Sequence, residues 1–364
     1  MKDRTLTVLI ALLTAIAVIA ALYAARSILT PVTFALFIIA VVWPVQRGLQ
    51  ARMPRLLAMA LTVLGTIVVI TALSSVVIWG GSRAGQWLIA NSARFQTVYS
   101  EIAAWLEGHD LFVASLLAEH FNMSWVIRIV QTVGAQFHTV LTFAVVTLVF
   151  VILGLLEVEA SKRKLQNLEN RGIGASLLSA CMDISAKFQK YMVIRTVMSL
   201  ATGAAVWAFA SLYGSALALE WGLIAFVLNY IPFLGPLFAT VFPTFFAAAQ
   251  FESWQIALTM FLGLNAIQFM LGSYLEPRIA GKALSISPFM VLFAVFFWSF
   301  LWGVPGAFIG VPILIAALTF AEHSPALRPM AALFAGTESD GAPPKQNHVG
   351  TPVKVRPKIR PKIK

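Results

Sequence analysis

One cysteine, Cys181, stands in 364 residues, and that scarcity removes both an intramolecular disulfide and a thiolate zinc site. Charge is the second shortage. Asp, Glu, Lys and Arg make up 11% of the chain while 59% is apolar, against roughly 25% charged residues in soluble domains. Such a chain cannot clothe itself in polar surface, and with uncharged runs of about 18 or more residues recurring along it, lipid must be its main solvent. Enzyme signatures are missing as well. His109, His120, His138, His323 and His348 have no metal-ligand spacing, and the chain contains neither a GxxxxGK[ST] phosphate loop nor a GxSxG elbow. The expectation is a protein that is not an enzyme and uses no cofactor or resident metal.

What is present begins with a net charge of +11, which would suit a nucleic-acid binder only if it lay on one face. It does not. Beyond residue 323 there are eight Lys or Arg against two acids, which places +6 of the +11 in the tail. Most of the remainder falls in two stretches between apolar segments, the pattern of cytoplasmic loops under the positive-inside rule. Orientation in a membrane accounts for the charge, and no nucleic-acid partner is expected.

Residues 6–25 carry no charge and are long enough to cross about 30 Å of hydrocarbon as a helix. That length, and the immediate restart of apolar sequence after Thr30-Pro31, favour an uncleaved first span over a signal peptide. A short second span over 28–43 ends at Pro44; Arg47, Arg52 and Arg55 mark a cytoplasmic turn before a third over 56–79. Residues 80–137 hold three Arg, four acids and no long apolar run. There Phe95, Val98, Tyr99, Ile102, Trp105 and Leu106 recur at helical spacing, predicting amphipathic helices on the outer side. They either pack on neighbouring spans or lie in the interface with Trp87, Trp105 and Trp125 as anchors. A fourth span over 140–156 returns inward, because 157–195 holds seven basic residues, and a fifth over 196–213 goes out.

Beyond it, a unit over 215–250 is interrupted by Asn229-Tyr230-Ile231-Pro232-Phe233-Leu234-Gly235-Pro236, and one over 287–320 by Gly303-Val304-Pro305-Gly306. Each is two short spans or a re-entrant hairpin, with a span over 256–271 between them, so the total is about eight or about ten. The expected fold is an all-α integral membrane protein, a polytopic helical bundle with about eight spans and broken or re-entrant helices in its C-terminal half. Its organisation is three spans in 1–80, an outer segment over 81–137, the remaining spans and the basic cytoplasmic stretch 157–195 within 138–322, and a basic, disordered cytoplasmic tail over 323–364. The location implied is the cell (inner) membrane, multi-pass, with both termini cytoplasmic.

Proline removes an amide donor and crowds the carbonyl one turn back, so Pro232 and Pro236, with Gly235 beside them, free backbone polar groups at membrane depth. Such groups persist only where protein buries them or a wet cavity meets them, and transporters turn broken helices of this kind towards cargo. The plainer alternative is a kink satisfied by adjacent helices. Asn229 opens the first break, while Gly306, Gly310 and Pro312 lie in and beyond the second. Glu276 is either a cap paired with Arg278, the favoured reading, or a titratable carboxylate at a cavity mouth. Asn265 and Gln268, three apart, share a helix face, which in an apolar span indicates helix-to-helix hydrogen bonds or otherwise a polar pathway.

The stretches Tyr230-Ile231-Pro232-Phe233-Leu234-Gly235-Pro236, Leu275-Glu276-Pro277-Arg278 with Gly281, Lys282 and Pro288, and Gly303, Gly306, Gly310, Val311 and Pro312 resemble the C-terminal pattern of the autoinducer-2 exporter family of membrane permeases. The resemblance covers most of the chain, including the long polar insert after the third span. It implies about eight spans and a transport function; members are assigned to autoinducer-2 export and others to sodium/proton antiport, so cargo does not carry over. The tail departs from the family pattern, with bases alternating around Pro357 and Pro361.

The expected transport-site residues are therefore Asn229, Pro232, Gly235, Pro236, Asn265, Gln268, Glu276, Arg278, Gly281, Gly306, Gly310 and Pro312. The leading expectation is a permease or exporter of a small polar solute. A sodium/proton antiporter with Glu276 as carrier is the alternative, disfavoured because Glu220, Glu252 and Glu276 fall near segment ends; a non-transporting scaffold is the third. Expected partners are small-molecule or ion cargo and membrane lipid, with assembly into a homo-oligomer left open.

Overall fold

A computed structural model describes residues 2–91, 93–95, 97, 104, 108, 137–167, 173–280, 286–324 and 326–334. Its helices are α1 (Lys2–Ala24), α2 (Arg26–Gln50), α3 (Arg55–Ala90), α4 (Phe137–Asn167), α5 (Ile173–Leu212), α6 (Ala218–Leu228), α7 (Leu234–Phe251) and α8 (Trp254–Gln268). A π-helical stretch, Phe269–Leu275, leads into α9 (Glu276–Ala280), followed by α10 (Pro288–His323) and α11 (Arg328–Phe334). No strand element occurs among the described residues. Eight helices among them are long and apolar enough to cross a membrane, and large apolar side chains such as Leu9, Leu64, Val145, Leu200 and Phe300 point outward from them. The protein is a polytopic, all-α membrane protein.

Several helices outrun their sequence-predicted limits. Pro44 does not end α2, although its missing N–H leaves the Ala40 carbonyl without its usual donor. α5 supplies the replacement, with Ser185 Oγ donating to Ala40 O at 2.7 Å and Gln189 Nε2 at 3.3 Å. The third span continues to Ala90, where Trp87 packs on Phe246 with ring centroids 4.2 Å apart and Phe95 stacks on Phe245 at 4.9 Å. These two aromatics pack on α7, the packing alternative for this segment; Trp105, Trp125 and most of the outer segment lie outside the described residues. Much of the stretch read as a basic loop over 157–195 is helix, because α4 runs to Asn167 and α5 starts at Ile173. Counting bases located the charge but could not tell a loop from charged helix ends.

α5 is the spine, forty residues long and packed against α2, α4, α6, α8 and α10. Both interrupted units fold back beside it. In a straight helix residues 294 and 310 would lie about 24 Å apart at 1.5 Å per residue, yet a Cβ placed on Gly310 would stand 2.8 Å from the Ala294 carbonyl and 3.4 Å from Trp298 Cβ. α10 is therefore an antiparallel hairpin. Its turn is Gly303, whose φ of 67° and ψ of −146° fall in a region open essentially to glycine alone. α6 and α7 form the other hairpin, with Trp221 meeting Phe246 across it at 5.2 Å.

The hairpins are rooted at opposite ends of α5. Gln250, at the base of the first, bonds Gly214 O and Ala216 N at 2.9 Å each, just past the C-terminus of α5. At the base of the second, Glu322 pairs with Lys187 at 2.8 Å and His323 with Asp183 at 3.1 Å, both near the start of α5. Of the eight candidate spans six are separate helices, and the other two, α7 and α10, belong to these hairpins.

Candidate functional site

The tips of the two hairpins meet. Tyr230, at the end of the first, stacks on Phe308 of the second with ring centroids 6.3 Å apart. Ile231 and Leu234 of that tip pack on an apolar cluster built from Phe37 of α2, Phe188 and Tyr191 of α5, and Leu301, Trp302, Ala307 and Ile309 of the second hairpin. Trp302 also donates its indole N–H to the Leu22 carbonyl at 3.2 Å, fixing the second tip to α1.

Polar groups enter this junction from the first hairpin and α5. Asn229 is 7% exposed, and its Nδ2 donates to Ser199 Oγ at 3.3 Å. Tyr230 Oη donates to Thr196 Oγ1 at 3.0 Å. The proline break that would bare the backbone is largely sealed locally: Tyr230 N bonds Val227 O, Ile231 N bonds Leu228 O and Gly235 N bonds Ile231 O. Leu234 N donates to Pro232 O at 2.7 Å, closing a γ-turn centred on Phe233 at φ 63° and ψ −49°. This is the rare, strained form of the turn, costing of order 1–3 kcal/mol for a non-glycine residue. Side chains, with a strained backbone beneath them, are what this tip presents.

One turn below Ser199 on the same face of α5 lies Arg195, whose side chain is 10% exposed and pairs with Glu276 at 3.1 Å. The π-helical stretch brings Glu276 there. Pro277 lacks an N–H and crowds the carbonyl four residues back, so the ladder upstream widens, and each inserted residue rotates the downstream helix by about 100°. The expected Glu276–Arg278 pair is thus replaced: Arg278 is exposed and lies over the Tyr274 ring at 3.8 Å. Tyr191, one turn further down α5, has its ring 5.6 Å from the Arg195 guanidinium. A buried polar column, Tyr191, Arg195 and Ser199, faces Glu276 and Asn229.

Of the sequence-predicted site residues, Asn229, Pro232, Gly235 and Pro236 form the first tip, and Gly235 is glycine because a Cβ would strike the Leu228 carbonyl. Gly306, Gly310 and Pro312 are buried in the second hairpin, where Gly306 abuts the Trp298 carbonyl. Glu276 lies beside the column. Asn265 does not join them: it is exposed and donates to its own helix at Phe261 O, 2.8 Å away, so it makes no bond to another helix. Gln268 is half-buried with Nε2 unpartnered. Gly281 lies outside the described residues. Sequence reasoning missed Tyr191, Arg195, Thr196 and Ser199. Their signal was polar residues at 191, 195 and 199, one helical face of an otherwise apolar segment, obscured because Arg195 was counted among loop charges.

The described residues contain no group of three or more His, Cys, Asp or Glu that could hold a metal ion. The arrangement offers hydrogen-bonding side chains and one ion pair at the junction of the two hairpin tips. The AI-2 transport protein TqsA of Escherichia coli strain K12 is 29% identical over 299 residues, 80% of this chain and 84% of that protein. A provisionally named transport protein of Borreliella burgdorferi is 31% identical over 183 residues, covering 50% of this chain and 51% of the other. A similarly named Haemophilus influenzae protein is 25% identical over 338 residues, 89% of this chain and 94% of its own length. The family model described as AI-2E family transporter matches residues 12–326, a stretch that contains α5, both hairpins and Glu276, and the chain therefore belongs to the AI-2E family of transporters.

Proposed function

We propose that this transporter exports a small polar solute across the inner membrane, and that the solute is held where the two hairpin tips meet against α5. The observation that carries the reading is the contact of tips rooted at opposite ends of α5, with Asn229 and Tyr230 bonded to Ser199 and Thr196 at the junction. The basic clusters at 47–55 and 162–164 and the basic tail support, by the positive-inside rule, a cytoplasmic side for both termini. The second hairpin then enters from the cytoplasm and the first from outside. Two such hairpins close one site from two sides, and release of either tip opens it to one compartment only, which is what alternating access requires. The antiport alternative gains nothing from the fold, because Glu276, its carrier, is tied to Arg195.

The test is efflux from proteoliposomes loaded with a panel of small polar solutes, comparing the parent with Asn229→Leu. Loss of flux for one solute class with insertion and monodispersity retained is the expected result. Equal flux of every solute by both proteins would remove the junction from the transport path.

A further inference from the structure

Arg195 is a buried guanidinium with only part of its donor set used. Both carboxylate oxygens of Glu276 stand 3.1 Å from the same nitrogen, Nη1. The Arg195 Nε–H and the hydroxyl of Tyr191, which is 7% exposed and one turn away on the same helix face, interact electrostatically, yet neither makes a hydrogen bond of good geometry. A guanidinium offers two edges to a planar anion, and here one nitrogen is occupied while the Nε edge is open. Buried donors left unpaired are costly, and one reason a structure keeps them is a ligand that completes them. The guanidinium N–H can only donate, and the phenol O–H one turn away can donate as well as accept, so a partner that takes a bond from both is an acceptor.

We propose that the Nε edge of Arg195 and the hydroxyl of Tyr191 bind an oxyanion, a carboxylate or phosphate group carried by the transported solute. This rests on the reading of the hairpin junction as the transport site and names the chemistry of its cargo. Arg195 lies one turn from Ser199, which bonds the first tip through Asn229, so a solute anchored at Arg195 reaches that tip with its remaining polar atoms. A bound oxyanion would share the guanidinium with the Glu276 carboxylate on Nη1, and the two anions repel each other. Oxyanion arrival therefore loosens the Arg195–Glu276 pair and, with it, the hold of α5 on α9.

The full-length protein in detergent is titrated with inorganic phosphate and with acetate, against chloride at equal ionic strength, with thermal stability and calorimetry as readouts; a parallel arm uses nanodiscs of neutral or anionic lipid. The expected result is saturable binding of phosphate or acetate in detergent. Tyr191→Phe keeps the ring and removes one hydrogen bond, weakening binding about fivefold; Arg195→Lys keeps the charge and loses the edge, weakening it more than about tenfold. Glu276→Gln removes the repelling anion, so it lowers thermal stability without oxyanion and gains more stability than the parent when phosphate or acetate is added. A purely structural ion pair would give the loss without that selective recovery. No difference between these anions and chloride, or equal binding by Tyr191→Phe, overturns the proposal, as does an effect seen only with anionic lipid, which would assign the donors to a headgroup. These are binding measurements, so their failure leaves the hairpin junction to be judged separately by flux.

Discussion

At the tip of the first hairpin the backbone turns on Phe233, a residue with a side chain at φ 63°, and sends Asn229 and Tyr230 into hydrogen bonds with α5. At the tip of the second it turns on Gly303 at φ 67° and buries Leu301, Trp302 and Ala307 in an apolar cluster. Each chain reversal needs a positive φ. Only the second has the residue that adopts it without strain. The first holds its turn at a cost and, beside the apolar packing of Ile231 and Leu234, is fastened by two side-chain bonds that can be exchanged for bonds to a solute; the second is fastened mainly by close backbone approach and apolar burial, with the Trp302 bond to Leu22 beside them. In the proposed site the first tip is thus the more readily released side and the second the more firmly held.

The largest effect expected from this difference is at Gly306. Gly306→Leu would drive a side chain into the Trp298 carbonyl, where backbone cannot yield, and overpacking of this severity costs about 3 kcal/mol or more. Size-exclusion profiles of the detergent extract should show aggregated or absent protein. Gly303→Ala comes next: it should lower stability by roughly 1–3 kcal/mol, read as a reduced melting temperature, with residual transport in whatever folds. Tyr230→Phe removes only the bond to Thr196 and should cost about 1 kcal/mol, while flux falls more than stability does. The smallest effect, and of opposite sign, belongs to Phe233→Gly, which relieves the γ-turn and should stabilise the tip by up to about 1 kcal/mol while slowing transport. A destabilising Phe233→Gly would show that the first turn carries no strain, and the contrast between the tips would disappear.

Both breaks were legible in sequence because proline and glycine clusters in apolar segments have a direct steric meaning. Their geometry was not. Nothing local in Gly303-Val304-Pro305-Gly306 separates a kink from a reversal; the reversal is fixed by Gly306 and Gly310 letting one limb lie on Trp298 and Ala294. Long-range partners escaped for the same reason. Arg278 is two residues from Glu276 and was the natural partner on sequence distance, yet the carboxylate pairs with Arg195, eighty-one positions away, because the π-helical stretch before Pro277 rotates it towards α5. Composition and hydropathy gave the fold class, since they report on solvent; they carry no information on which helices touch.

The most direct measurement joins the two tips. With Cys181 replaced by alanine, cysteines at Tyr230 and Phe308, whose rings now stack at 6.3 Å, would be bridged by a short cleavable thiol reagent in proteoliposomes and solute flux recorded before bridging, after it and after reductive cleavage. The account predicts efficient bridging, arrest of flux while the tips are joined, and recovery on cleavage. Flux continuing at the unbridged rate with the tips fully joined, or no bridging at all, would contradict a transport site formed where the hairpins meet.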